Sequence, residues 1–116
     1  MTQSSAPGNQ VLLGNELDDL GWPAIEPQPA TATGVVVAGE CLLSGFSFRE
    51  TSGASPAVID LFDGGGANGQ LIATVALTPG QSVRDRLPWP GVHCENGLFM
   101  NLVSGAVTGA VWVVVI

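Results

Sequence analysis

The chain has 116 residues, 46% hydrophobic and only 11% charged, a size that fits one domain. Charged residues usually make up about 25% of a globular protein, so the composition excludes a highly charged disordered tail. Lys plus Arg number 3 against 10 Asp plus Glu, a formal net charge of -7, which excludes binding of DNA or RNA by phosphate neutralisation.

Residues 1–33 read as an extended N-terminal arm, rich in Pro, Gln, Ser, Thr and Ala, with Pro7, Pro23, Pro27 and Pro29 favouring extended backbone. Leu13, Leu17 and Leu20 fall on one helical face, which predicts a short helix near residues 15–20 with Gly21 beyond its end. Trp22 and Ile25 follow. An arm carrying Leu, Trp and Ile with little periodicity is expected to dock, on its own domain or on a neighbour. The first ten residues have neither a basic nor an apolar signal-peptide region, so synthesis in a cytosol is expected.

Residues 34–116 read as β. Strands are expected over residues 35–38, 42–51, 57–63, 71–78, 81–87, 92–94, 98–103 and 107–116. Phe46 and Phe48 face one way. Leu71, Ala73, Val75 and Leu77 share a face, and Val83 and Leu87 point inward with Arg84 and Arg86 outward. Turns fall at residues 53–56 and 64–69, at Pro79-Gly80, in the rigid loop 88–91, and at Asn96-Gly97 and Ser104-Gly105. Seven or eight short antiparallel strands at this spacing predict a β-sandwich or jelly-roll-like barrel. The last strand is apolar on both faces, so it is expected to be covered on both, with its end inside the sheet or an interface; this favours a homo-oligomer, a trimer in preference. Its apolar run is far shorter than the ~20 residues of a membrane helix, so no membrane partner is expected.

The chemistry-bearing residues are few. His93 and Cys94 are adjacent on a strand, so they point to opposite faces and do not form a nucleophile–base pair. Cys41 and Cys94 bond only if the fold brings them together; otherwise they are buried free thiols. Asp63 opens the loop DGGGANG, which lacks the ligand spacing of a calcium loop and the Lys of a phosphate loop, and reads as turn chemistry with Asp and Asn bonding their own backbone. No catalytic, metal-binding or cofactor-binding residue emerges. Arg84 and Arg86 are candidates for carboxylate pairing, either within the chain or across an interface. Trp112 reads as core, whereas Trp89, between Pro88 and Pro90, is the best exposed aromatic anchor. The candidate partner-binding set is therefore Leu13, Leu17, Leu20, Trp22, Ile25, Arg84, Arg86 and Trp89.

Residues 42–115 resemble a group of small structural proteins of tailed bacteriophages. The resemblance is carried by Gly45, Phe46, Phe48, Arg49, Glu50 and Thr51; by Asp63 and Gly64; by Ile72, Ala73, Thr74, Val75, Leu77, Pro79, Gly80 and Ser82; and by Gly97, Leu98, Phe99, Met100, Ser104 and Gly105. These are mostly turn and core residues, and the arm lies outside them. The resemblance implies a virion-associated β-sandwich without catalytic residues, assembled in the host cytoplasm. It points to a capsid decoration (cement) protein or minor tail component whose partner is the major capsid protein on the capsid exterior. The alternative from another class is a glycan-binding module for host attachment, built on an exposed Trp89.

Overall fold

The computed structural model describes residues 24–116. They form nine antiparallel strands: β1 (Glu26–Pro29), β2 (Gly34–Val37), β3 (Cys41–Glu50), β4 (Ala57–Asp63), β5 (Gln70–Leu77), β6 (Ser82–Arg86), β7 (Val92–Cys94), β8 (Leu98–Ser104) and β9 (Val107–Val115). The all-β architecture expected from sequence is what forms. The short helix expected near residues 15–20, with Leu13, Leu17, Leu20 and Trp22, lies outside the described residues.

One sheet runs β1-β9-β3-β6, with β7 also pairing β3; the other runs β2-β8-β4-β5. β6 and β7 occupy the same side of β3, since Gly45 faces Arg86 and Leu43 faces Val92. They behave as one edge strand interrupted by residues 87–91. With that pair counted once, the order is that of a jelly roll, two facing antiparallel sheets joined by Greek-key crossings.

Between the sheets lies the core. Leu43, Phe46, Phe48, Val111 and Val113 come from the first sheet, and Ile59, Leu61, Leu77, Leu98 and Met100 from the second, all buried. The Phe46 and Phe48 rings are 5.7 Å apart between centroids, a spacing that adds aromatic attraction to area burial. Alternation along β3 changes phase where the register shifts between Leu43 and Gly45. Cys41 and Leu43 are inward before the bulge, Phe46 and Phe48 after it.

Two expectations are corrected here. First, part of the segment read as arm is strand: β1 pairs β9 with Pro27 opposite Trp112 and Pro29 opposite Ala110. The Ala30 N–H reaches the Gly109 carbonyl at 3.0 Å. Alternation therefore gives the ladder bonds to Glu26, Gln28 and Ala30, and turns the donorless nitrogens of Pro27 and Pro29 away from β9. Proline is tolerated in a strand in that setting, at a sheet edge. Secondly, Leu71 does not share the inward face of Ala73, Val75 and Leu77. The β4–β5 register skips Ile72, so Ile72 packs on the core and Leu71 is turned out. Within the single chain the last strand is covered except at its end. Val111, Val113 and Val114 are buried, but Val115 and Ile116 are exposed.

Two carboxylates fasten loops to this frame. Glu50, only 2% exposed, accepts from the Ser52 N–H (2.7 Å), the Gly53 N–H (2.7 Å) and the Gly80 N–H (2.9 Å). Gly80 meets it with φ +75 behind Pro79, as a tight turn closed by Gln81 N–H on the Thr78 carbonyl requires. Asp63 accepts from the Asn96 N–H at 2.9 Å and the Glu95 N–H at 3.3 Å. It thus ties β4 to the β7–β8 turn rather than capping its own loop, as the sequence suggested.

Candidate functional site

The outer face of the β1-β9-β3-β6 sheet carries an open groove. Its floor is a single row set by strand register: Arg86 opposite Gly45, Gly45 opposite Trp112, and Trp112 opposite Pro27. Residues opposite one another in antiparallel strands share a face, so the row crosses four strands. Arg84 lines the groove one step along, and Ile25 closes the β1 end. Leu87, Trp89, Pro90 and Gly91 form the wall, and the groove's volume is about 790 Å³.

The wall exists because β6 and β7 are interrupted. Residues 87–91 are extruded opposite the single residue Ser44. The loop is held by the Leu87 N–H on the Ser44 carbonyl (2.9 Å) and closed by the Gly91 N–H on the Pro88 carbonyl (2.7 Å). The Trp89–Pro90 peptide is cis. Trp89 stands at the tip, 81% exposed. A large aromatic so displayed offers contact area at low entropic cost, which is why Trp anchors interfaces.

Trp112 is the residue that sequence reasoning misplaced. It lies on the outer face and is half-buried, not in the core. Its floor position depends on Gly45, since a Cβ there would stand 2.6 Å from its ring. The available signal was parity: Val111 and Val113 cannot both be inward unless Trp112 is outward.

The groove gathers four of the candidate partner-binding residues, Ile25, Arg84, Arg86 and Trp89, with Trp112 added. The remaining candidates, Leu13, Leu17, Leu20 and Trp22, lie outside the described residues. All three cations of the chain, Arg49, Arg84 and Arg86, are exposed on β3 and β6. Among the described residues the one close contact between basic and acidic side chains is His93 with Glu40, so neither groove arginine is paired there. The groove offers two indole faces and two guanidinium groups. It is suited to a ligand that combines apolar or planar surface with carboxylate.

His93 points to solvent toward Glu40, while Cys94 beside it is buried, as alternation requires. Cys41 and Cys94 face each other across β3 and β7 as free thiols. Burial pushes the Cys94 thiol up to about 12 and raises Cys41 as well. That leaves both protonated and unreactive near neutral pH. No group of three or more His, Cys, Asp or Glu among the described residues is arranged to hold a metal ion. No helix among them is long and apolar enough to cross a membrane.

Comparison with known proteins finds no matching family model, no matching curated protein and no matching solved structure.

Proposed function

We propose that the chain is a non-enzymatic virion structural protein, a capsid decoration protein that binds the major capsid protein on the outer surface of a bacteriophage head. The virion part of this reading is supported by the motif residues of the stretch 42–115. The jelly roll agrees with it by analogy of fold, because viral capsid domains use that arrangement; fold alone assigns no role. The docking part is carried by one observation: Ile25, Arg84, Arg86, Trp89 and Trp112 converge on one open groove. Four of the five are Trp or Arg, the types that dominate interface energetics, with Trp112 as the floor. A homo-oligomer, preferably a trimer about a local symmetry axis of the shell, multiplies such contacts by raising their effective concentration.

Cosedimentation of the purified chain with undecorated phage heads tests this reading. Wild type pellets with the heads, whereas Trp89→Ala and the double variant Arg84→Glu/Arg86→Glu stay in the supernatant with their β-sheet spectra intact. Equal pelleting of all three excludes the groove from shell binding.

A second reading is favoured by the exposure of Trp89 beside Trp112 and two arginines: a host-attachment module that stacks on acidic sugars. Lectin domains also use the jelly roll. Retention on an acidic glycan column, lost in Trp89→Ala, together with no binding to heads, selects it over decoration.

A further inference from the structure

We propose that the groove on the outer sheet face is the seat of the chain's own acidic segment, residues 16–22 (Glu-Leu-Asp-Asp-Leu-Gly-Trp), bound in cis. Three observations converge on this occupant.

The first is connectivity. Ile25 and Pro27 line the groove, so the chain that precedes them starts at its β1 end. The second is reach. From β1 to β6 is three strand spacings, about 14 Å. Asp19 precedes Ile25 by six residues, enough for an extended chain to cover about 20 Å. The span from Ile25 therefore leaves slack for Asp18 and Asp19 to come within reach of Arg84 and Arg86.

The third is charge. The chain carries 3 cations against 10 acids, and its cations are exposed on β3 and β6 with no carboxylate partner among the described residues. Glu16, Asp18 and Asp19 are the densest acidic run in the sequence. Pairing them with Arg84 and Arg86 in a groove walled by indoles gives charge-assisted hydrogen bonds in a partly dry setting, where they are strongest. The acids lie further from Ile25 than Trp22 does, which matches a groove that is apolar at its β1 end and cationic at its β6 end.

The surface shown to a partner is then composite, with Trp89 standing beside the seated segment. The inference does not require the virion reading, because it concerns the isolated chain.

The test is NMR on the full-length chain. Asp18→Asn/Asp19→Asn is expected to shift the Nε–H signals of Arg84 and Arg86 and the indole N–H signals of Trp89 and Trp112. The methyl signal of buried Met100 stays in place. Unmoved arginine and indole signals overturn the proposal. A nitroxide on Glu16→Cys settles whose groove is filled, because Cys41 and Cys94 are buried and resist labelling. Broadening of the Arg84 and Trp89 signals when label and isotope share a chain, and none when they sit on different chains, is the expected result. Broadening only between chains overturns docking in cis and assigns the groove to a second copy. Neither outcome depends on a capsid, so failure here leaves the decoration reading to be judged by head binding.

Discussion

Gly45 lies beneath the indole of Trp112, its cross-strand partner on the outer sheet face. A Cβ on Gly45 would stand 2.6 Å from Trp112 Cε3 and 2.5 Å from the Asp85 carbonyl oxygen. One missing methyl group thus lets an aromatic ring lie flat on the sheet and become the floor of the groove. The glycine is lodged next to the β3 bulge, so the same short stretch resets the inward face and opens the outward one.

Gly45→Ala is therefore expected to lift Trp112 off the floor. Both the ring and the backbone oxygen must give way, and overpacking of this kind costs about 1–3 kcal/mol. Urea unfolding followed by tryptophan fluorescence should show a lower midpoint and a red-shifted native spectrum. An unchanged spectrum would mean that Trp112 is not held by this contact.

Glu50 should carry much of the acid sensitivity. The Ser52 hydroxyl, and then the N–H groups of Gly80, Ser52 and Gly53, hold its carboxyl at about 2 against the opposing cost of burial. A carboxyl depressed in the folded state contributes its stability above the ordinary value of 4.5 and loses it as pH falls through about 2. Glu50→Gln should be less stable than wild type at neutral pH. The gap should narrow steadily between pH 4.5 and pH 2. Thermal melts across that range measure it, and a gap independent of pH would contradict the assignment.

Thiol labelling should be slow. With Cys94 pushed up to about 12 and Cys41 also raised by burial, neither presents appreciable thiolate at pH 8. Iodoacetamide should leave the native chain unmodified by mass spectrometry and add two labels after unfolding. Rapid native labelling would show that the β3–β7 edge opens.

Stability and docking should separate by site. Leu61→Ala empties a fully buried position and should cost about 2–5 kcal/mol. Trp89→Ala removes an 81% exposed side chain and should change stability by less than about 0.5 kcal/mol. Loss of head binding in Trp89→Ala with an unchanged unfolding midpoint is the expected combination.

The strands after residue 33 were legible because their apolar alternation and their Gly, Pro and Asn turns agree with one another. β1 was not, because Pro27 and Pro29 argue against a strand until their edge position and ladder phase are known. The bulges at Ser44 and Ile72 were equally invisible: an extra residue shows only against a partner strand, and it moves every side chain beyond it to the other face. Of the site, Trp89 and the two arginines could be picked out from residue type and flanking prolines. Their meeting with Trp112 could not, since it depends on register across four strands.

The decoration reading is tested most directly by quantitative mass spectrometry of virions purified from a host that carries the coding sequence, taking the chain's copy number relative to the major capsid protein. The account predicts a ratio equal to one or to a simple fraction set by shell symmetry. A handful of copies per particle, or none, would contradict it.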